Sequence, residues 1–124
     1  PMGGLVAASA ATLLLIAMAT AQTSGSPPAE EPRDPPPAGL ADRMKDAGLI
    51  SRGEKIWQEQ CTHCHGAKAY PGKAPKLQPR AYNPELVWDR VHNGFRAMPP
   101  WKDIYSPDEI VAIVAYVLSD EFFP

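Results

Sequence analysis

Cysteine and histidine are scarce in this chain, with two of the first and three of the second, and no run of basic residues occurs anywhere along it. A formal charge of −2 without a basic stripe excludes the electrostatic footprint of a nucleic-acid binder. No constellation of serine, cysteine and carboxylate suited to hydrolysis is present. No segment alternates apolar and polar residues with period two, so strands have no signature and the fold class expected is all-α. The first 21 residues carry no charge at all.

What is present is unevenly spread. The uncharged leader holds the apolar run Leu13-Leu14-Leu15-Ile16-Ala17-Met18, then Ala19-Thr20-Ala21, which has the small-x-small form of a signal-peptidase site. Residues 1–21 are therefore expected to be a signal peptide or, alternatively, a retained membrane anchor. The 17 residues from Leu5 to Ala21 sit at the lower limit for a span. Six of the fifteen prolines fall between Pro27 and Pro37, which makes residues 22–39 a Pro-rich flexible linker. Residues 40–124 remain as the single domain that 124 residues allow.

Helix signals punctuate that domain. Leu40, Met44 and Ala47 at helical spacing before Gly48 suggest a short lead-in helix. Ser51-Arg52-Gly53-Glu54 has the capping-box pattern, so a helix is expected from about Arg52 towards Cys61. Gly66, Pro71, Gly72, Pro75 and Pro79 rule out a long helix or central strand and predict a wrapping loop. Asn83-Pro84-Glu85 supplies an N-cap, a first-turn proline and a first-turn acid, with Gly94 as the stop. Ser106-Pro107-Asp108-Glu109 opens the last helix, where Ile110, Val111, Ile113, Val114, Val117 and Leu118 form one broad buried face.

Cys61-Thr62-His63-Cys64-His65 is the feature that carries chemistry, because C-x-x-C-H is the attachment pattern for a c-type haem. Two thiols three positions apart can add to two vinyl groups of one haem, and the histidine next to the second is brought under the iron. A thioredoxin-like pair needs a βαβ setting that is missing here. A structural zinc site needs four ligands, and there is no second CxxC and only His92 downstream. A disulfide across two residues closes too short a loop to stabilise much.

Around this motif the sequence resembles the class I cytochrome c family, over roughly residues 51–118. Gly53 and Trp57 stand eight and four residues before Cys61, where that family's first helix carries a glycine and an aromatic. Tyr116 is similar to its C-terminal aromatic, which crosses the first helix near the glycine. The resemblance implies a small cytochrome c fold, three to five helices wrapped around one covalently bound haem c. It also implies His/Met ligation, with His65 and Met98 as the metal ligands. Met98-Pro99-Pro100-Trp101 follows the Gly94 stop, and two prolines stiffen the backbone that presents the sulfur. His92, a surface or capping residue near its helix's end, is a rival sixth ligand; Met44 and a solvent-facing His63 are weaker ones. The resemblance further assigns the Pro75 carbonyl as acceptor for the second nitrogen of His65. Leu77, Trp88, Val91 and Trp101 would wall the haem, and Arg80 is either a propionate partner or a surface arginine.

Residues 61–102 carry seven basic side chains, Lys68, Lys73, Lys76, Arg80, Arg90, Arg96 and Lys102, against Glu85 and Asp89. This local excess suggests redox protein partners with an acidic docking face, steered by charge. The function expected is that of a carrier of single electrons in the periplasm or on the outer face of a membrane, not an enzyme. A tethered haem subunit of a larger dehydrogenase or respiratory complex is the alternative. A haem sensor or peroxidase-like enzyme is a third reading, which Met98 opposes.

Overall fold

The computed structural model describes residues 3–4 and 33–122. The expected signal or anchor segment lies almost wholly outside the described residues, as does most of the linker. Among the described residues no helix is long and apolar enough to cross a membrane. Helices account for the regular structure there, and the one β feature is an isolated bridge between Phe95 and Met98.

The first helix, α1 (Ala47–Ile56), begins earlier than the capping-box pattern predicts. Asp46 is its N-cap, its carboxylate accepting from Leu49 N at 2.9 Å, and Ser51 lies inside the helix. An aspartate cap satisfies the free N–H groups as well as serine does, and Gly48 within the first turn was no stop. The expected lead-in helix is only a 3₁₀ turn at Ala41–Arg43. Beyond Ile56 the helix widens into a π turn at Trp57–Cys61 and tightens again into α2 (Thr62–His65). The C-x-x-C-H residues therefore sit on the continuation of one helical rod.

From Gly66 the chain forms the expected loop, broken by a 3₁₀ turn at Pro79–Ala81. α3 (Pro84–Asn93) starts where Asn83 Oδ1 accepts from Leu86 N at 2.8 Å, and it ends at Gly94. α4 (Pro107–Val117) carries the reciprocal capping box: Ser106 N donates to Glu109 Oε2 at 2.8 Å and Glu109 N to Ser106 Oγ at 3.3 Å. The bond to Ser106 holds the Glu109 carboxyl below its ordinary range.

Every residue of α4 from Ile110 to Val117 is buried. It packs against α3 and, more extensively, against α1. The α1–α4 crossing is centred on Gly53, where a Cβ would lie 1.9 Å from the Ala112 carbonyl oxygen and 2.8 Å from Tyr116 Cβ. Trp57, one turn on, meets Phe122 edge-on at 4.7 Å, and Phe122 meets Tyr116 edge-on at 5.3 Å. Phe122 comes from the tail after α4, where no helical pattern marks it, and it is completely buried. Burying such a ring stabilises by about 2–3 kcal/mol.

Because the atom facing Gly53 is backbone, a methyl group cannot be accommodated by a rotamer change. Gly53→Ala is expected to lower the unfolding free energy by about 3 kcal/mol, the upper end of overpacking penalties. Urea denaturation of the haem-loaded protein measures this, and an unchanged midpoint would show that the helices do not touch here.

Candidate haem site

The helical rod sets the first half of the site. Cys61 and Cys64, at i and i+3, fall on one helix face, with His65 immediately after. Both thiols are free. Cys61 is half-buried, and its burial, with Cys64 beside it, pushes its pKa up to about 12, so it is a neutral thiol. The His65 ring lies 5.5 Å from that of Trp57. Burial lowers its pKa, which keeps the imidazole in the neutral form that binds metals.

The loop after the motif is folded back onto it. Ala74 N donates to the Cys64 carbonyl at 2.8 Å, Trp57 Nε1 to Ala67 O at 2.9 Å and Leu77 N to Ala69 O at 3.2 Å. Leu77 and Arg80, both expected at the site, line one cavity of 260 Å³ together with Lys76, Gln78, Pro79 and Ala81. The hydrogen bond expected from His65 to the Pro75 carbonyl is not formed in this structure. His65 Nδ1 is buried without a hydrogen-bond partner, and Pro75 is exposed. In a loop this rich in prolines the sequence cannot specify which carbonyl turns inward.

The α3–α4 connection sets the second half. Gly94 has φ +78°, a conformation that side chains resist, and a Cβ on it would come within 2.8 Å of Pro100 N. Phe95 and Met98 exchange both backbone hydrogen bonds at 3.0 Å, closing a tight hairpin that carries the Met98 side chain. Its return leg docks on the end of α3, with Trp101 N donating to Val91 O at 3.0 Å and Lys102 N to His92 O at 3.4 Å. Two of the carbonyls left over at the helix end, those of Val91 and His92, are thereby satisfied. Met98, Val91 and Trp101 are half-buried and Trp88 is buried.

His92 corrects an expectation. It is buried, not a surface residue, and it stacks on Trp88 with ring centres 4.5 Å apart and planes 19° apart. The i, i+4 spacing of Trp88 and His92 was the available signal. His63 is exposed, as expected. The contact between Trp57 and His65 had no counterpart in the sequence reading, because the π turn that brings Trp57 round leaves no mark in residue spacing.

Two thiols on one helix face, an imidazole that burial keeps neutral and a thioether on a braced loop make a donor set that fits haem c. Fold and site together define a c-type cytochrome, a domain that binds one haem c covalently and transfers electrons. More particularly, residues 48–117 match the family described as cytochrome C oxidase, cbb3-type, subunit III, and the chain belongs to that family of haem domains. Over 67 residues it is 39% identical to the 4-cresol dehydrogenase [hydroxylating] cytochrome c subunit of Pseudomonas putida, covering 54% of this chain and 58% of that subunit. Over 73 residues it is 34% identical to cytochrome c6 of Anabaena variabilis, covering 53% of this chain and 85% of the relative. Among solved structures, cytochrome CL of Methylophaga aminisulfidivorans superposes with a TM-score of 0.54 at 27% identity, over 60% of this chain and 55% of that one. The c-type cytochrome NirC gives 0.51 at 27% identity, over 64% and 99%. The chain thus spans little more than half of the dehydrogenase subunit and of cytochrome CL.

The thiols can be tested one at a time. Cys61→Ser and Cys64→Ser are each expected to keep haem on the polypeptide through the remaining thioether, and the double variant to release it into acidified organic solvent. Haem staining after denaturing electrophoresis reads the difference.

Proposed function

We propose that this chain is an electron carrier and not an enzyme, with haem c attached through Cys61 and Cys64 and its iron ligated by His65 and Met98. The observation that carries the reading is the doubly braced hairpin bearing Met98. A sensor or peroxidase needs an open iron position, whereas a stiff loop offering a soft sulfur suits a closed one. When bound, the haem supplies one-electron exchange at its iron. The chain's own contribution is to hold and shield. Trp57 covers one side of the His65 ring, and burial keeps that ring unprotonated and available. Gly94 lets the chain turn sharply enough for the two prolines after Met98 to fix the approach of its sulfur. Leu77 and Trp101 contribute apolar wall, and Arg80, on the cavity rim, is the propionate partner.

The carrier works in the periplasm or on the outer face of a membrane, a reading supported by the uncharged leader. Its partners are redox proteins with an acidic docking face. Two exposed aromatic rings in the basic stretch carry cations: Lys76 lies 4.4 Å from the centre of Tyr70, and Arg90 and Arg96 lie 3.7 and 4.9 Å from that of Phe95. Such a surface pairs apolar contact with steering charge. Identity to a dehydrogenase's cytochrome subunit favours a second reading, in which the chain is the haem subunit of such an enzyme.

Met98→Ala is expected to abolish the long-wavelength ferric absorption band that reports sulfur on iron, to lower the reduction potential and to admit imidazole. A spectrum of the unmodified protein without that band would overturn the ligand assignment. With an acidic partner, the second-order reduction rate is expected to fall about tenfold or more between low and physiological ionic strength. Stopped-flow mixing over a salt series measures it, and a flat response would remove the acidic docking face.

A further inference from the structure

Arg33 and Asp34 precede the residues that match the cytochrome family, and they lie in the stretch whose composition reads as linker. In the structure they are tied to the α3–α4 connection at both of its ends. Arg33 Nη1 donates to both carboxylate oxygens of Asp89 at 3.0 Å and to the Gly94 carbonyl at 3.4 Å, where the Met98 hairpin leaves the helix. Asp34 makes a two-point backbone pair with Asn93, its N–H donating to Oδ1 at 3.2 Å and its carbonyl accepting from Nδ2 at 3.1 Å. The Asp34 carboxylate accepts from Lys102 Nζ at 2.9 Å, on the return leg, and lies 3.8 Å from His92 Nδ1. Lys102 holds the Asp34 carboxyl below its ordinary range, so the pair is charged at neutral pH.

We propose that Arg33 and Asp34 are positioning residues for the sixth iron ligand, a clamp that joins the departing and returning legs of the Met98 loop and resists its opening. The proposal rests on the reading that Met98 closes the iron. A methionine ligand on a surface loop leaves when the loop swings out, so occupancy of the iron depends on the free energy of that opening. A single exposed ion pair contributes at most about 1 kcal/mol. Here one dipeptide is anchored to α3 and its cap through Asp89, Asn93 and Gly94, and from that base it holds the returning leg through Lys102. Asn93 and Gly94 end α3, and Lys102 already pairs its backbone N–H with His92 O, so the clamp reinforces a docking that exists without it.

The test uses the full haem-loaded chain and imidazole as the probe. Imidazole binds only where the loop is open, so its apparent affinity scales with the open fraction. R33Q/D34N is expected to bind imidazole to ferric protein about three- to tenfold more tightly than the unmodified protein, the gain expected from losing two exposed pairs. D34E, which keeps the carboxylate, is expected to stay near the unmodified value. So is R43Q, which removes the remote Arg43–Asp108 pair and the same charge as R33Q. A merely structural role would lower the urea midpoint without changing imidazole affinity. Should the double variant lose helical circular dichroism, the single variants R33Q and D34N take its place, with about two- to threefold expected of each. Unchanged affinity in these variants, while M98A binds imidazole far more tightly, overturns the clamp and leaves the methionine ligand standing. If the unmodified protein lacks the methionine band and M98A binds imidazole no better than it does, the ligand reading fails and the clamp fails with it.

Discussion

The rest of the domain depends on a gap too narrow for a methyl group. At Gly53 the backbone of the first helix meets the Ala112 carbonyl of the last directly, and this crossing fixes where both helices can go. One turn further along α1, Trp57 is held against Phe122 and within 6.3 Å of the Tyr116 ring. Those aromatic contacts anchor the rod at the point where it widens into the π turn and continues to Cys61, Cys64 and His65. The chemical motif is thus positioned by apolar packing that begins two helical turns upstream of it. A motif on a loose loop would present the same donors without a fixed direction.

Two different physical devices then hold the two proposed ligands. His65 is carried on a helix, and its protonation state is set by burial. Met98 is carried on a hairpin whose geometry is set by backbone hydrogen bonds, by Gly94 at positive φ and by two prolines. The helix-borne residue can shift only with the packed core. The loop-borne one can move by opening a few hydrogen bonds, so any variation in how firmly the iron is closed is concentrated there. Extra bonding from outside the family's own span has its effect at that second position and would be wasted at the first.

Local chemistry was legible wherever one residue type has one use. Asn83-Pro84 and the Ser106–Glu109 box mark their helix starts because few side chains can satisfy free backbone N–H groups, and the structure uses each in that way. The apolar face of α4 was legible for a similar reason, since its period leaves only one side to bury. Competition made the rest obscure. Asp46 and Ser51 are both good caps, and which one wins depends on whether Leu49 and Ile50 find the core, a tertiary matter. Which carbonyl His65 uses was obscure because several carbonyls in one proline-rich loop are equivalent on paper. His92 looked like a surface residue because charge near a helix end is usually solvated, yet the flat face of Trp88 one turn back gave it a buried place to lie. Arg33 and Asp34 were hidden by composition, since prolines on either side read as linker whatever the charges between them contact.

The burial pattern also bears on how the fold and its cofactor depend on each other. The core is built on α4, yet His65 Nδ1, Trp88 Nε1 and Tyr116 Oη are buried polar atoms that no protein group meets. An unmet buried polar group costs about 1–3 kcal/mol, a large share of the stability of a small domain. His65 lies on α2 and Trp88 on α3, whereas Tyr116 lies on α4 where it crosses α1 beside Gly53. The deficit is therefore shared between the crossing and the site. A group held at the site would offset only the share of that cost lying on α2 and α3, and only where it supplies a hydrogen-bond partner.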